Sequence, residues 1–474
     1  MVFSSKLFLF IFLPAVLGIY FLLPKKMRNV FLFFVSLLFY GWGEPKFVFA
    51  LLTSVLLNYI LGLLVDKYRD DKFKIRILMV ILVLFNIGLL IVFKYLNFII
   101  RNLNLIVEGR IPQTNIALPI GISFFTFQAM SYVIDIYRKR GEVQKNPLNV
   151  GLYVALFPQL VAGPIVRYET VAYEINHRKE KLDEFAFGVK RFLEGLAKKV
   201  LIANTLAIVA DKAFAIAGAG TLSISFAWLG AVAYSLQLFF DFSGYSEMAI
   251  GLGLMFGFHF EENFNYPYIS KSVSEFWRRW HISLGTWFRD YVYISLGGSR
   301  VKSKLLLFRN LFAVWFLTGV WHGANWTFIA WGLMYFVLIA FEKFSGYPER
   351  FKYKVSKITY QLFTIICVIC GWVLFRSNSI HQGVYFLKTM FGISGNQIFD
   401  SSALFYFKEY FIYFVFAFLL STPIFKWLVE KISNKEKAIK IYKIAMPIVY
   451  SFIFIVVIAE LVVNTHNPFI YFNF

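Results

Sequence analysis

Residues 311–340 read LFAVWFLTGVWHGANWTFIAWGLMYFVLIA, thirty positions in which His322 is the only side chain that titrates near neutral pH. A run of that length exceeds the roughly 20 apolar residues a helix needs to cross a bilayer. If the run is helical, His322 lies about 20 Å along the axis from Arg309, at roughly 1.5 Å per residue. An ionisable group at that depth is costly, so a lone imidazole there is a functional candidate. A second histidine, His281, stands upstream in SEFWRRWHISLGTWFRDYVYISLGG, residues 274–298. Each histidine directly follows a tryptophan, Trp280 or Trp321.

Outward from these two stretches the whole chain has the same character. Of its 474 residues 59% are hydrophobic and 16% charged, where a soluble protein has about 45–50% and about 25%. The runs are too long and continuous for an outer-membrane barrel, whose strands alternate over roughly 10 residues. The expected fold class is therefore an all-α polytopic integral membrane protein, a single domain over residues 1–474. The net charge of +21 sits in loops between apolar runs, the pattern that orients membrane helices; no nucleic-acid partner is implied. Cys367 and Cys370 form C-x-x-C inside an apolar run. Without further ligands or a thioredoxin-like context they read as helix packing, and no metal site is expected.

Taken in order, residues 7–23 predict an uncleaved first span, with Lys25, Lys26 and Arg28 holding its end inside and the N-terminus outside. The turn Gly41–Pro45 then lies outside, and Lys67–Arg76 and Arg138–Lys145 lie in the cytoplasm. Residues 148–165 sit between two basic stretches and carry Pro158, Gly163 and Pro164, which predicts a segment that enters and returns, buried in protein. Residues 185–200 have one apolar face and a crowd of Lys190, Arg191, Lys198 and Lys199. They predict a helix on anionic membrane lipid or, equally, a solvated loop helix. Residues 222–257 exceed one span and are expected to break at FDFSGYS, where Asp241 and Glu247 either pair with a buried base or line a wet cavity. Val273, Phe276, Trp277, Trp280, Leu284, Trp287, Phe288 and Tyr291 recur at helical spacing, with Glu275 placed to pair Arg278 and Arg279. Further spans near 311–341, 358–375, 408–429 and 444–463 bring the expected number to about eleven. His177, His259, His381 and His466 stand singly at loops or span ends and receive no role.

The residues around the two histidines, with FYGWGEP, LPIGISFFTFQAMSYVIDIYR, FPQLVAGPI, FDFSGYSEMAIGLG, NFNYPYIS and the tail PFIYFNF, resemble the membrane-bound O-acyltransferase family. The resemblance runs almost end to end and is to the bacterial branch that O-acetylates polysaccharides. Asn204, Gly285 and the missing histidine after Trp331-Gly332 depart from the family's usual pattern, away from its chemistry. The resemblance implies a ring of membrane helices around a central tunnel, and acyl transfer centred on His322 with His281 in support. It also implies a cytoplasmic donor, acetyl-CoA, and a separate extracytoplasmic acetyltransferase partner that completes transfer to a cell-surface polysaccharide. The expected location is the cytoplasmic (inner) membrane. An imidazole in an apolar, water-excluded site suits this chemistry as general base or as covalent acyl carrier. Asn325, three residues beyond His322, falls near the same helix face and orients the imidazole, polarises a carbonyl or simply packs. Trp321, Trp280 and Asp290 complete the set of candidate binding or orienting residues. Two rival readings remain. One is D-alanyl transfer to teichoic acid from a carrier-protein thioester. The other is a proton-coupled transporter, for which the expected internal repeats are missing.

Overall fold

The computed structural model describes residues 1–107, 109–433, 436–464 and 470, without side chains for 432–443. His466 and all of the PFIYFNF tail except Ile470 lie outside the described residues. Every regular element among those described is helical.

The first compact unit comprises residues 1–192 and 245–261. In chain order its helices are α1 (Leu13–Leu22), α2 (Lys25–Gly43), α3 (Val48–Lys67), α4 (Lys72–Leu90), α5 (Leu96–Asn104), α6 (Ile122–Tyr137), α7 (Pro147–Ala155), α8 (Phe157–Leu160) and α9 (Tyr168–His177). Helices α3 and α4 pack with a reciprocal amide pair between buried Asn58 and Asn86, at 3.2 and 3.1 Å. Such interhelical bonds hold membrane helices together at about 0.6 kcal/mol each. The proline-containing segment becomes α7 and α8, short helices joined at Leu156 and buried from Asn149 onward. That burial is what permits broken backbone at membrane depth.

Helix α10 (Leu182–Ala197) continues through a π turn at Lys198–Ala203 into α11 (Asn204–Gly218). A single helix of 37 residues therefore replaces the expected surface helix and separate span. The reason lies in Lys199, which is buried and forms an ion pair with Asp241 at 2.8 Å. Lys199 is thus not a lipid-facing charge, and Asp241 has the buried base that was one of its two expected outcomes. Asp241 lies on α12 (Ile224–Met255), 32 residues that run unbroken through FDFSGYS. The small and polar residues there serve close packing instead of a break: a Cβ on Gly244 would stand 2.7 Å from the Gly195 carbonyl oxygen.

The second unit comprises residues 193–244 and 262–474. It continues with α13 (Val273–Arg279), α14 (Ile282–Trp287), α15 (Lys304–His322), α16 (Trp326–Ser345), α17 (Lys354–Arg376), α18 (Ile380–Met390), α19 (Ser401–Leu420), α20 (Ile424–Ser433) and α21 (Glu436–Val463). Two expectations are corrected here. The run 311–341 is two helices, and the aromatic stripe of 273–291 is broken at Trp280 and His281. Among the described residues nine helices are long and apolar enough to cross a membrane, against about eleven expected. The helix over Phe8–Leu22 is shorter than that criterion, and α6 has 16 residues.

Candidate active site

Helix α15 ends at His322 because Gly323 leaves the helix in an extended conformation. Asn325 then caps α16: its side chain accepts from Thr327 N at 3.2 Å. Its amide nitrogen donates to the Asn378 carbonyl at 3.0 Å. Asn325 therefore does not share a helix face with His322, since the helix stops between them. Its amide satisfies a helix start, where backbone N–H groups otherwise lack partners.

The tight hairpin α15–α16 depends on paired glycines. A Cβ on Gly319 would lie 2.6 Å from the Phe328 carbonyl oxygen, and one on Gly332 would lie 2.5 Å from that of Trp315. Backbone thus meets backbone one turn before His322. The buried imidazole is enclosed by rings at near-perpendicular angles: Trp321 at 5.0 Å, Trp331 at 4.9 Å and Phe375 at 5.1 Å between centroids. His322 is only 4% exposed, and the three rings restrict how its imidazole can turn.

His281 approaches from the other broken run. Ser272 caps α13 by accepting from Glu275 N at 3.0 Å. The buried Glu342 carboxylate accepts from Val273 N at 2.7 Å and Ser274 N at 2.8 Å, and from the Tyr360 hydroxyl at 2.9 Å. Glu275 pairs Arg279 at 2.9 Å, one of the two partners its spacing offers. The chain then turns at His281, whose backbone is left-handed with φ of 46°. A residue with a Cβ adopts that conformation at a cost of about 1–2 kcal/mol. Burial pushes the imidazole down to about 3, so His281 is neutral near pH 7.

Trp321 neighbours both imidazoles, with centroids 5.0 Å from His322 and 6.2 Å from His281. The structure thus brings His322, Trp321 and His281 together. Trp280 instead packs in the aromatic core, 4.8 Å from Trp372 and 5.1 Å from Phe264. Asp290 lies in the π turn Phe288–Tyr293 and takes the Arg289 guanidinium in two bonds of 2.8 and 3.2 Å. Four contacting residues escaped the sequence reading: Trp331 and Phe375 against His322, Phe242, 4.6 Å from His281, and Asn263, 3.1 Å from its Nδ1. Phe242 and Asn263 fall within FDFSGYS and NFNYPYIS, but nothing in their spacing connects them to a histidine.

Residues 143–382 match the model of the membrane-bound O-acyltransferase family. The probable alginate O-acetylase AlgI of Pseudomonas syringae pv. tomato is 44% identical over 402 residues, 84% of this chain and 76% of that protein. The chain belongs to the membrane-bound O-acyltransferase family. It is accordingly a multi-pass membrane O-acyltransferase. A peptidoglycan O-acetyltransferase of Helicobacter pylori is 35% identical over 428 residues, 83% of this chain and 80% of its own. The teichoic acid D-alanyltransferase of Bacillus subtilis is 31% identical over 296 residues, covering 57% of this chain and 72% of its own. In an O-acyltransferase a base must take the acceptor's proton and a proton must reach the leaving group, tasks an imidazole performs at neutral pH. His322 and His281 are the two imidazoles that the structure places about Trp321.

Proposed function

We propose that this O-acyltransferase moves acetyl groups from a cytoplasmic thioester, acetyl-CoA, across the inner membrane for O-acetylation of an extracytoplasmic polysaccharide. A separate extracytoplasmic acetyltransferase completes the transfer to the polymer. The observation that carries this reading is the enclosure of His322 by Trp321, Trp331 and Phe375 at the end of α15. The likeness to two polysaccharide O-acetylating relatives over more than four-fifths of the chain supports acetate as the cargo. The D-alanyl-transferring relative aligns over 57% and supports that cargo less.

His322 acts as general base. It accepts the proton of an acceptor hydroxyl as that oxygen attacks the thioester carbonyl. The C–S bond breaks as the tetrahedral adduct collapses, and the imidazolium returns the proton to the departing thiolate. His281, neutral and on the far side of one indole contact, assists at the same locus. The test is the ester-linked acetate and ester-linked D-alanine content of surface polymers in cells carrying wild type or His322→Ala at matched membrane levels. Wild type should yield acetate and His322→Ala should lose it by at least about 100-fold. Asn325→Ala, losing a cap of about 1 kcal/mol, should yield acetate in proportion to its membrane level. Undiminished acetate in His322→Ala would sink the mechanism, and D-alanine in place of acetate would sink the substrate.

A further inference from the structure

Asn263 grips three successive residues at the turn that presents His281. Its carbonyl oxygen accepts from Ile282 N at 2.9 Å. Its side-chain Oδ1 accepts from Ser283 N at 3.1 Å and Ser283 Oγ at 2.9 Å, and stands 3.1 Å from His281 Nδ1. A backbone N–H can only donate, so the atom it meets must be the amide oxygen of Asn263 and not its nitrogen. An amide oxygen can only accept, so the proton of the imidazole lies on Nδ1. In a neutral ring the lone pair is then on Nε2.

We propose that Asn263 is a positioning residue for acyl transfer: by accepting from Nδ1–H it holds His281 in the tautomer that offers Nε2 as the basic atom. The proposal rests on the reading that His281 assists His322. Both ends of Asn263 serve it. The backbone contact and the Ser283 contacts hold the left-handed turn, and the imidazole contact sets where the proton resides. Among the groups against the ring are this amide and the rings of Phe242 on α12 and Trp321 on α15. Asp241, which precedes Phe242, is engaged by Lys199 at 2.8 Å. Asn263 is itself buried, and its Nδ2 makes no hydrogen bond among the described residues. Substitution by aspartate therefore removes no contact while keeping the acceptor.

The experiment uses full-length protein in lipid nanodiscs, labelled with 15N-histidine, with the His281 resonances identified by their loss in His281→Gln. Wild type should show a protonated Nδ1 and an unprotonated Nε2. Asn263→Leu should mix the tautomers and lower kcat about 10- to 100-fold with KM for acetyl-CoA little changed. Asn263→Asp should keep the tautomer, since a carboxylate oxygen still accepts from Nδ1–H. A residue that only braces the turn would change protein yield and leave the tautomer where it is. A wild-type His281 protonated on Nε2, or an Asn263→Asp variant whose His281 loses the Nδ1 proton, overturns the proposal even if Asn263→Leu fails to fold. Full acetyl transfer by His281→Ala would instead sink the role of His281 on which the proposal stands.

Discussion

Gly332→Ala should damage catalysis more than folding. The added Cβ would stand 2.5 Å from the Trp315 carbonyl oxygen, 3.0 Å from Gly319 Cα and 3.2 Å from Gly319 N. Ordinary contact begins near 3.4 Å, so α16 must retreat from α15 by roughly 0.9 Å. The atoms met are backbone, so no side chain can swing aside. Overpacking of this kind costs about 1–3 kcal/mol, while replacing glycine by alanine within a helix returns about 0.8–1.0 kcal/mol. The net loss of stability is thus about 0–2 kcal/mol, which the fold should survive. Trp331 adjoins Gly332 and faces His322 at 4.9 Å, so the same retreat opens the ring enclosure. A misplacement of about 1 Å can cost on the order of 100-fold in rate. The assay is polymer acetate per unit of membrane protein, alongside thermal unfolding in detergent. Gly18→Ala, where an added Cβ meets nothing within 4 Å, is the control. Wild-type acetate per protein in Gly332→Ala would refute the claim that this backbone contact sets the site.

Lys199→Ala leaves Asp241, only 3% exposed, without its ion pair, and should destabilise the protein by about 3–5 kcal/mol, read as lower membrane abundance and melting temperature. Lys199→Met combined with Asp241→Leu should recover much of that loss, since no buried charge is then stranded. Cys367 and Cys370 are free and half-buried on α17, so replacing both with alanine should leave acetylation intact; loss of activity at normal abundance would assign them a function. In that cysteine-free background an impermeant thiol reagent should modify Gly43→Cys from outside and spare Lys72→Cys. The 20 residues of α3 between them extend about 30 Å, enough to place the two on opposite sides; the reverse labelling would invert the topology.

His322 announced itself in the sequence because a lone titratable group in an apolar run is expensive and so invites a functional explanation. The helix ends around it were harder to read. Gly323 and Asn325 are a helix exit and a cap, yet a three-residue turn barely interrupts the hydropathy of the two spans it joins. At FDFSGYS the error ran the other way. Polar and small residues suggested a break, but Asp241 is neutralised by Lys199 and Gly244 admits the Gly195 backbone, so α12 continues. Lys199 itself looked like one more surface charge, because periodicity reports which face a residue occupies and not what packs on that face. Asn263 lies in an irregular connector, where no period exists to relate it to His281.

Helix α16 works as a gauge of fixed length. Asn325 caps one end beside His322, and Glu342, seventeen positions on by residue number, hooks the first amides of the segment that leads to His281. Deleting a single residue between them would turn Glu342 about 100° around the axis and draw it back about 1.5 Å. The carboxylate would then miss Val273 and Ser274, even if every apolar residue of the span were retained. Lineages of this protein should therefore tolerate insertions and deletions in the connector after α14 and at 391–400, while the spacing from Asn325 to Glu342 stays invariant.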